Sequence, residues 1–132
     1  MPVTILEHTA DIRLRARGHS LQSAILELLN YILSMMYGND VKPDLSRTYS
    51  IESANITDLV PMAINEVIYI SESTGTAGKI RRFSICGNIA EIEYIGEKLS
   101  GKKDYGVLIK AATYYKLFVS ATPPEIEVTL DI

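Results

Sequence analysis

The chain has 132 residues, 47% of them hydrophobic, and a formal net charge of −3. This length and apolar content are typical of one domain with its own core, so we expect a single domain over residues 1–132. The mildly acidic balance disfavours proteins that coat nucleic acid through a basic surface. The one cysteine, Cys86, excludes an internal disulfide framework and a cysteine-rich zinc site. With no membrane-length apolar run and no signal-peptide pattern, the sequence predicts a soluble protein of the cytoplasm.

The first predicted strand is close to the N-terminus. Over residues 10–17 apolar and polar residues alternate, which is the period of a half-buried strand. Asp11 is the first residue of its polar face. Three arginines continue that face: Arg13, Arg15 and Arg17. They could bind phosphate or an acidic protein surface, but a charged outer face of a sheet is the default interpretation.

Two amphipathic helices are predicted from apolar residues at helical spacing. The first has Ser20 as its N-cap and ends at Gly38, which tolerates a positive φ. The second is predicted to have Asp58 as its N-cap. That choice puts Pro61 at the third helical position, where its missing N–H would leave no internal hydrogen bond unmade.

A β-hairpin is predicted after the second helix. Gly87 and Asn88 suit a two-residue turn between its strands. This turn places Arg82 opposite Glu93 on one face and apolar residues opposite each other on the other face, so the charge and packing patterns agree. The two predicted strands are residues 79–86 and 89–95.

Shorter patterns predict the remaining strands. The last one, residues 125–131, alternates strictly, with apolar residues directed inward and Asp131 on the polar face. The other predicted strands are residues 48–52, 107–110 and 113–119. Together these elements predict an α+β fold, a two-layer domain in which a mostly antiparallel sheet carries the two amphipathic helices on one face.

Asp11 and Asp131 are candidate metal ligands. Calcium and magnesium need several oxygen ligands, and the carboxylate of Asp131 stands next to the carboxylate of Ile132. The apolar Ile132 continues the inward face of its strand, so we expect this end of the chain to be anchored. If the first and last strands are neighbours, these three carboxylates form a hard-cation site. The alternative is a turn-capping Asp11 and a solvated strand end.

The sequence resembles the archease family. The resemblance rests on residues 7–11 (Glu-His-Thr-Ala-Asp) ahead of a strand and an amphipathic helix, on residues 110–114 (Lys-Ala-Ala-Thr-Tyr), and on an ending in Asp131 plus one residue. It covers essentially the whole chain, in the same order of elements. The sequence departs from the family at Tyr115, where the family has His, and in the second helix, which lacks the Trp often found in relatives.

Archeases are small α+β proteins that act as cofactors of the GTP-dependent RNA ligase that joins tRNA halves and other RNAs. The resemblance therefore implies an accessory factor, not an enzyme, which promotes guanylylation of the ligase and multiple turnover. In the family a divalent cation, commonly calcium, is held by the Asp of the N-terminal motif and by the acidic C-terminal end. The matching positions are Asp11, Asp131 and Ile132, with Ca²⁺ expected and Mg²⁺ as the alternative ion.

The resemblance also bears on partners. Candidate contacts with the ligase are His8, Asp104 and Lys110, and a solvent-exposed role is the alternative for the last two. RNA would be bound only indirectly, and no membrane would be involved. A second hypothesis is a chaperone-like binding module for tRNA-modifying enzymes such as a tRNA methyltransferase. A third, a metal-dependent hydrolase, lacks a convincing general base or nucleophile beside the proposed ion.

Overall fold

The computed structural model describes residues 2–8, 11–99 and 106–132, with the side chains of Glu7 and His8 outside that description. Within these residues the fold is α+β, as predicted, and neither of its helices is long and apolar enough to span a membrane. The elements in chain order are β1 (Val3–His8), β2 (Asp11–Arg17), α1 (Leu21–Tyr37), β3 (Leu45–Glu52), α2 (Ile56–Thr74), β4 (Thr76–Cys86), β5 (Ile89–Lys98), β6 (Ala111–Ala121) and β7 (Pro124–Asp131).

The strands form two antiparallel sheets. One has the order β1-β2-β7-β6 and the other has the order β3-β5-β4. The predicted antiparallel sheet is divided in two because β2 pairs with β7 while β3 pairs with β5. Both helices contact both sheets, and one cluster of buried apolar residues joins the helices to the sheets.

Helix α1 begins and ends where the sequence predicts. The Ser20 hydroxyl accepts a hydrogen bond from the Ser23 N–H, and the Ser23 hydroxyl accepts one from the Ser20 N–H, each at 3.1 Å. This reciprocal capping satisfies two donors that the helix itself cannot. Gly38 follows the helix with a φ of 86°, a conformation that favours glycine. The predicted apolar stripe is buried from Ala24 to Met36.

Helix α2 begins three residues earlier than predicted. Its N-cap is Asn55 and not Asp58. The Asn55 side-chain oxygen accepts the Asp58 N–H at 2.8 Å, and the Asn55 amide donates to the Asp58 carboxylate at 2.9 Å. Asn and Asp cap helices about equally well, and an acidic residue is also favourable in the first turn, so the pattern alone could not separate the two positions. Pro61 consequently lies inside the helix.

The hairpin of β4 and β5 has the predicted register. Arg82 lies opposite Glu93, and its Nε atom is 3.2 Å from a carboxylate oxygen of that residue. Gly87 adopts a φ of 61° in the turn, which explains its place there. Both strands extend further from the turn than predicted.

Residues 107–110, predicted as a strand, are not in a strand. The main-chain N–H groups of Gly106 and Val107 each donate at 2.9 Å to carbonyl oxygens of the last turn of α1. Donors used in this way are not available to a sheet, and β6 begins at Ala111.

Strand β1 has no clear signal in the sequence. Its pairing with β2 shifts register between Ile5 and Glu7, which marks a β-bulge. The bulge interrupts the alternation of apolar and polar residues by which half-buried strands are recognised.

Candidate metal centre at the ends of β2 and β7

Asp11 and Asp131 lie directly opposite each other in the structure. Strands β2 and β7 are antiparallel neighbours, and their paired residues run without interruption from Asp11 and Asp131 to Arg17 and Glu125. The inward residues of both strands are buried, so a slip of one residue would turn apolar side chains towards solvent. This packing holds the register that brings the two carboxylates together. Both aspartates are exposed.

The spacing of these two register positions is compatible with a calcium ion shared by their side chains. Residues directly opposite each other in an antiparallel pair have Cβ atoms about 4.5–5.5 Å apart. A calcium ion takes oxygen ligands at about 2.3–2.6 Å, so two ligands on opposite sides of it are about 5 Å apart. Among the described residues no Lys or Arg forms an ion pair with Asp11 or Asp131. Like charges facing each other are destabilising, and a cation between them would remove that repulsion.

The main chain of Asp131 is held on both sides. The Lys110 N–H donates to the Asp131 carbonyl oxygen at 2.8 Å, and the side chain of Ile132 is half-buried against the core. These contacts fix the strand end while the Asp131 carboxylate stays in solvent. Lys110 is exposed beside the aspartate pair, and its ammonium group has no ion-pair partner in the described part of the chain.

Of the other predicted site residues, the structure describes the main chain of His8 but not Asp104. His8 ends β1, where it pairs with Ile12, the residue after Asp11. Asp104 lies outside the described residues. Across residues 2–6, 11–99 and 106–132, no three His, Cys, Asp or Glu side chains converge as a metal-binding group. The predicted set has only two aspartate side chains, and its third ligand is the Ile132 carboxylate.

This fold and this sequence are those of a known family. The model of the Archease protein family (MTH1598/TM1083) matches residues 4–132. The chain belongs to the archease family. No curated protein sequence matches it significantly.

Two solved archease-family structures share the fold. The solution structure of Methanobacterium thermoautotrophicum protein 1598 has a TM-score of 0.82 at 17% identity, and the match covers 99% of each chain. The crystal structure of a Thermotoga maritima archease, described as a possible chaperone, has a TM-score of 0.67 at 24% identity, covering 98% of this chain and 96% of that one. At these identities the likeness establishes the fold alone.

The three arginines of β2 are paired with glutamates of β7. Arg13 Nη2 is 2.9 Å from a Glu127 oxygen, and Arg15 Nε is 3.3 Å from the other oxygen of the same carboxylate. Arg17 Nε is 2.6 Å from a Glu125 oxygen. The outer face of these strands is therefore a ladder of paired charges, as the default interpretation of the arginines expects, and not a free cationic stripe.

Glu127 is the centre of this ladder. Partial burial works against its ionisation, but hydrogen bonds from Arg13 and Arg15, together with their positive charges, outweigh that effect and lower the pKa of its carboxyl group. The carboxylate form is stabilised because both of its oxygens accept charge-assisted hydrogen bonds.

Strand β6 contains a large bulge over residues 113–118, where its register with β7 shifts. Arg13 Nη2 donates to the carbonyl oxygen of Lys116 at 2.7 Å, and the Thr129 hydroxyl donates to that of Tyr115 at 3.1 Å. Lys116 has a φ of 51°, which is unusual for a residue other than glycine. No turn-forming residue in the sequence signals this bulge, and its anchors come from β2 and β7.

The bulge presents aromatic side chains to solvent. We call Tyr114, Tyr115 and Phe118, which are 58%, 63% and 45% exposed, the aromatic bulge. The ammonium group of Lys116 is 5.3 Å from the centroid of the Tyr115 ring. Because Ala111 pairs with Asp131 and Thr113 with Thr129, the aromatic bulge begins directly beyond the residues that flank the aspartate pair.

Proposed function

We propose that this protein is a metal-binding accessory factor that activates a GTP-dependent RNA ligase in tRNA splicing and RNA repair. The observation that carries the proposal is the pairing of Asp11 with Asp131 at an exposed end of β2 and β7. Membership of the archease family supports it. Catalysis belongs to the ligase, and both proteins work in the cytoplasm.

In this proposal the carboxylates of Asp11, Asp131 and Ile132 hold a divalent cation, Ca²⁺ or alternatively Mg²⁺. A bound ion supplies positive charge that can attract an anionic ligand at the end of the sheet. The buried faces of β2 and β7 keep the two aspartate side chains in position. The three carboxylates are exposed or at a strand end, so the ion can approach from solvent.

Lys110 is the best-placed candidate for a contact with the ligase. Its main chain is fixed by Asp131, and its exposed side chain starts beside the proposed ion. His8 and Asp104 are further candidate contacts. The accessory factor brings its metal-bearing end to the nucleotide site of the ligase, promotes guanylylation there and allows repeated turnover. RNA is contacted through the ligase.

A guanylylation assay tests this proposal. Ligase is mixed with radiolabelled GTP and the wild-type protein, and the covalent ligase–GMP adduct is followed over time. We expect Asp11→Asn and Asp131→Asn to lose the stimulation. Asp40→Asn, which changes an exposed aspartate between α1 and β3, is the matched control and should stimulate like the wild type. Full stimulation by both site variants would refute the role of the aspartate pair.

The second candidate function is a chaperone-like binding module for a tRNA-modifying enzyme such as a methyltransferase. Two observations favour it: the Thermotoga maritima archease is described as a possible chaperone, and the aromatic bulge is exposed. Exposed tyrosine and phenylalanine side chains are typical of protein interfaces. Binding of the purified protein to ligase and to methyltransferase, measured side by side, discriminates the two functions. Binding to methyltransferase alone would favour the chaperone-like role.

A further inference from the structure

Strand β3 has an unusually regular edge. Within the described residues the sheet edges are β1, β6, β3 and β4. Three of these strands, β1, β4 and β6, contain a register shift, whereas β3 pairs with β5 from Leu45 to Glu52 without interruption. Bulges at an edge hinder pairing with another chain, and a long regular edge invites it.

In two of the other edge strands, β4 and β6, side chains from the helices form hydrogen bonds with main-chain groups. Asn30 of α1 donates to the carbonyl oxygen of Ile80 in β4 at 2.9 Å and accepts its N–H at 2.8 Å. Asn65 of α2 accepts the N–H of Ala112 in β6 at 2.8 Å. No side chain within the described residues makes such a bond to the main chain of β3.

The direction of the β3 main-chain groups follows from one hydrogen bond. The Ser53 N–H donates to the Asn88 carbonyl oxygen at 2.9 Å, and these residues continue the register of β3 with β5. Main-chain groups alternate between the two sides of an antiparallel strand. Those of Ser46, Thr48 and Ser50 therefore point away from β5, and no described residue bonds to them. All three residues are exposed.

We propose that this edge pairs with β3 of a second copy of the chain, so that two three-stranded sheets become one sheet of six strands. A twofold axis at Thr48 makes the strand complementary to itself. Each residue then meets a compatible residue of the other copy, in the pairs Leu45 with Ile51, Ser46 with Ser50, Arg47 with Tyr49, and Thr48 with Thr48. Apolar residues meet apolar residues, hydroxyls meet hydroxyls, and a guanidinium meets an aromatic ring.

The twofold arrangement also agrees with the alternation of the main chain. The outward groups of Thr48 meet those of Thr48 in the second copy, and the groups of Ser46 meet those of Ser50. Beyond these pairs Asp44 would face Glu52, and the like charges end the ladder there. One strand edge buries less than the about 1,200 Å² of stable interfaces, so we expect weak association that rises with concentration.

Sedimentation velocity from micromolar to millimolar concentration tests this pairing on the full chain. We expect the wild type and Thr48→Val to dimerise as concentration rises. Thr48→Pro removes an N–H that points away from β5, and Thr48→Lys sets two ammonium groups against each other at the axis, so both variants should stay monomeric. A wild type that stays monomeric throughout overturns the proposal. So does a folded Lys variant that dimerises like the wild type, because the dimer would then use another surface.

Amide hydrogen exchange on the wild type gives an independent measurement. The amides of Ser46, Thr48 and Ser50 should exchange more slowly as concentration rises. The Tyr49 amide points towards β5 and should be protected at every concentration. Unchanged exchange of the three outward amides in a sample that dimerises would overturn the proposed pairing.

Discussion

Arg13 of β2 donates a hydrogen bond to the main-chain oxygen of Lys116 at 2.7 Å. The same guanidinium donates to the Thr129 hydroxyl and to the Glu127 carboxylate, each at 2.9 Å. The Arg13 side chain is only 11% exposed, and its bonds to Thr129 and Glu127 are partly shielded from water, which strengthens them. Arg13 thereby ties the β6 bulge to the strand pair that carries the two candidate metal ligands.

We expect Arg13→Ala to lower the free energy of unfolding by about 2–4 kcal/mol. Three hydrogen bonds are lost, and the half-buried Glu127 carboxylate loses the Arg13 guanidinium as an ion-pair partner. Urea unfolding measures this loss. Arg17→Ala is the control, since the Arg17 side chain is 65% exposed, and should cost less than about 1 kcal/mol. Equal effects of the two substitutions would contradict the anchoring role of Arg13.

The amide of Lys116 reports on the bulge directly. If Arg13 holds the bulge, Arg13→Ala should speed amide exchange in residues 114–117 while exchange in the buried part of α1 changes little. Uniform acceleration over the whole chain would instead indicate a global loss of stability.

Glu127 should make stability depend on pH in the acid range. Its folded-state pKa is below the ordinary value of 4.5, so its contribution is present above that pH and is lost as pH falls through the folded-state pKa. Glu127→Gln should therefore lower the free energy of unfolding by about 1–3 kcal/mol at neutral pH. The difference between wild type and variant should shrink below pH 4.5.

Urea unfolding from pH 3 to pH 7 measures this difference. Glu91→Gln, which changes an exposed glutamate of β5, is expected to shift stability by less than about 0.5 kcal/mol at neutral pH. A constant difference between wild type and Glu127→Gln at every pH would show that the charge of Glu127 is not the cause.

Local sequence patterns predicted the helix that has recognisable caps at both ends and the hairpin that has both a turn signal and alternating strands. Ser20 and Gly38 bracket α1 as expected, and Gly87 with Asn88 sets the register of the hairpin. Pairing between distant strands depends on packing that no short window of sequence contains. The alternating arginines of β2 and glutamates of β7 are compatible with that pairing, but compatible charges alone do not select one strand order.

Of the candidate site, the sequence predicted where Asp11 and Asp131 lie on their strands but not the bulge beside them. Asp11 and Asp131 each start or end a polar face, and the structure makes them register partners. The β6 bulge could not be predicted, because Lys116 is not a residue that favours a positive φ and its conformation is held by Arg13 and Thr129. The predicted N-cap at Asp58 was wrong for a different reason, since two adequate N-cap residues, Asn55 and Asp58, stand close together.

Tyr94 holds a buried network of hydroxyl groups. Its phenol is within 2.9 Å of the Ser71 hydroxyl and 2.7 Å of the Thr76 hydroxyl. We expect Tyr94→Phe to lower the free energy of unfolding by about 1–3 kcal/mol, because two buried hydroxyls lose a partner. Thermal or urea unfolding measures the loss. Tyr69→Phe changes an exposed tyrosine of α2 and serves as the control.

Gly78 lies against the ring of Tyr94, where any added Cβ would overlap the aromatic atoms. Gly78→Ala should therefore destabilise the protein even though it adds one methyl group, and Tyr94→Phe in the same chain should not restore it, since the ring stays in place. Recovery of wild-type stability in the double variant would mean that the clash involves only the phenol oxygen.

Asp131→Asn should have opposite effects on the metal-free and metal-loaded protein. Without metal, removal of one of two facing charges should raise the free energy of unfolding by about 0.2–1 kcal/mol. With Ca²⁺, the wild type should gain stability as the concentration rises above the dissociation constant, and Asp131→Asn should not. Thermal unfolding with chelator and over a calcium series measures both effects, and Asp40→Asn is the control. A variant that responds to Ca²⁺ like the wild type would remove Asp131 from the ligand set.

The proposed role of Ile132 is tested by adding a few residues after it. The addition keeps the Ile132 side chain against the core but converts its carboxylate into a peptide carbonyl, which is a weaker ligand for a hard cation. We expect calorimetric Ca²⁺ affinity to fall while the thermal unfolding temperature in chelator changes little. Unchanged affinity would leave Asp11 and Asp131 as the charged ligands and assign the remaining coordination to main-chain oxygens or water, because two carboxylates alone do not fill the coordination shell of calcium.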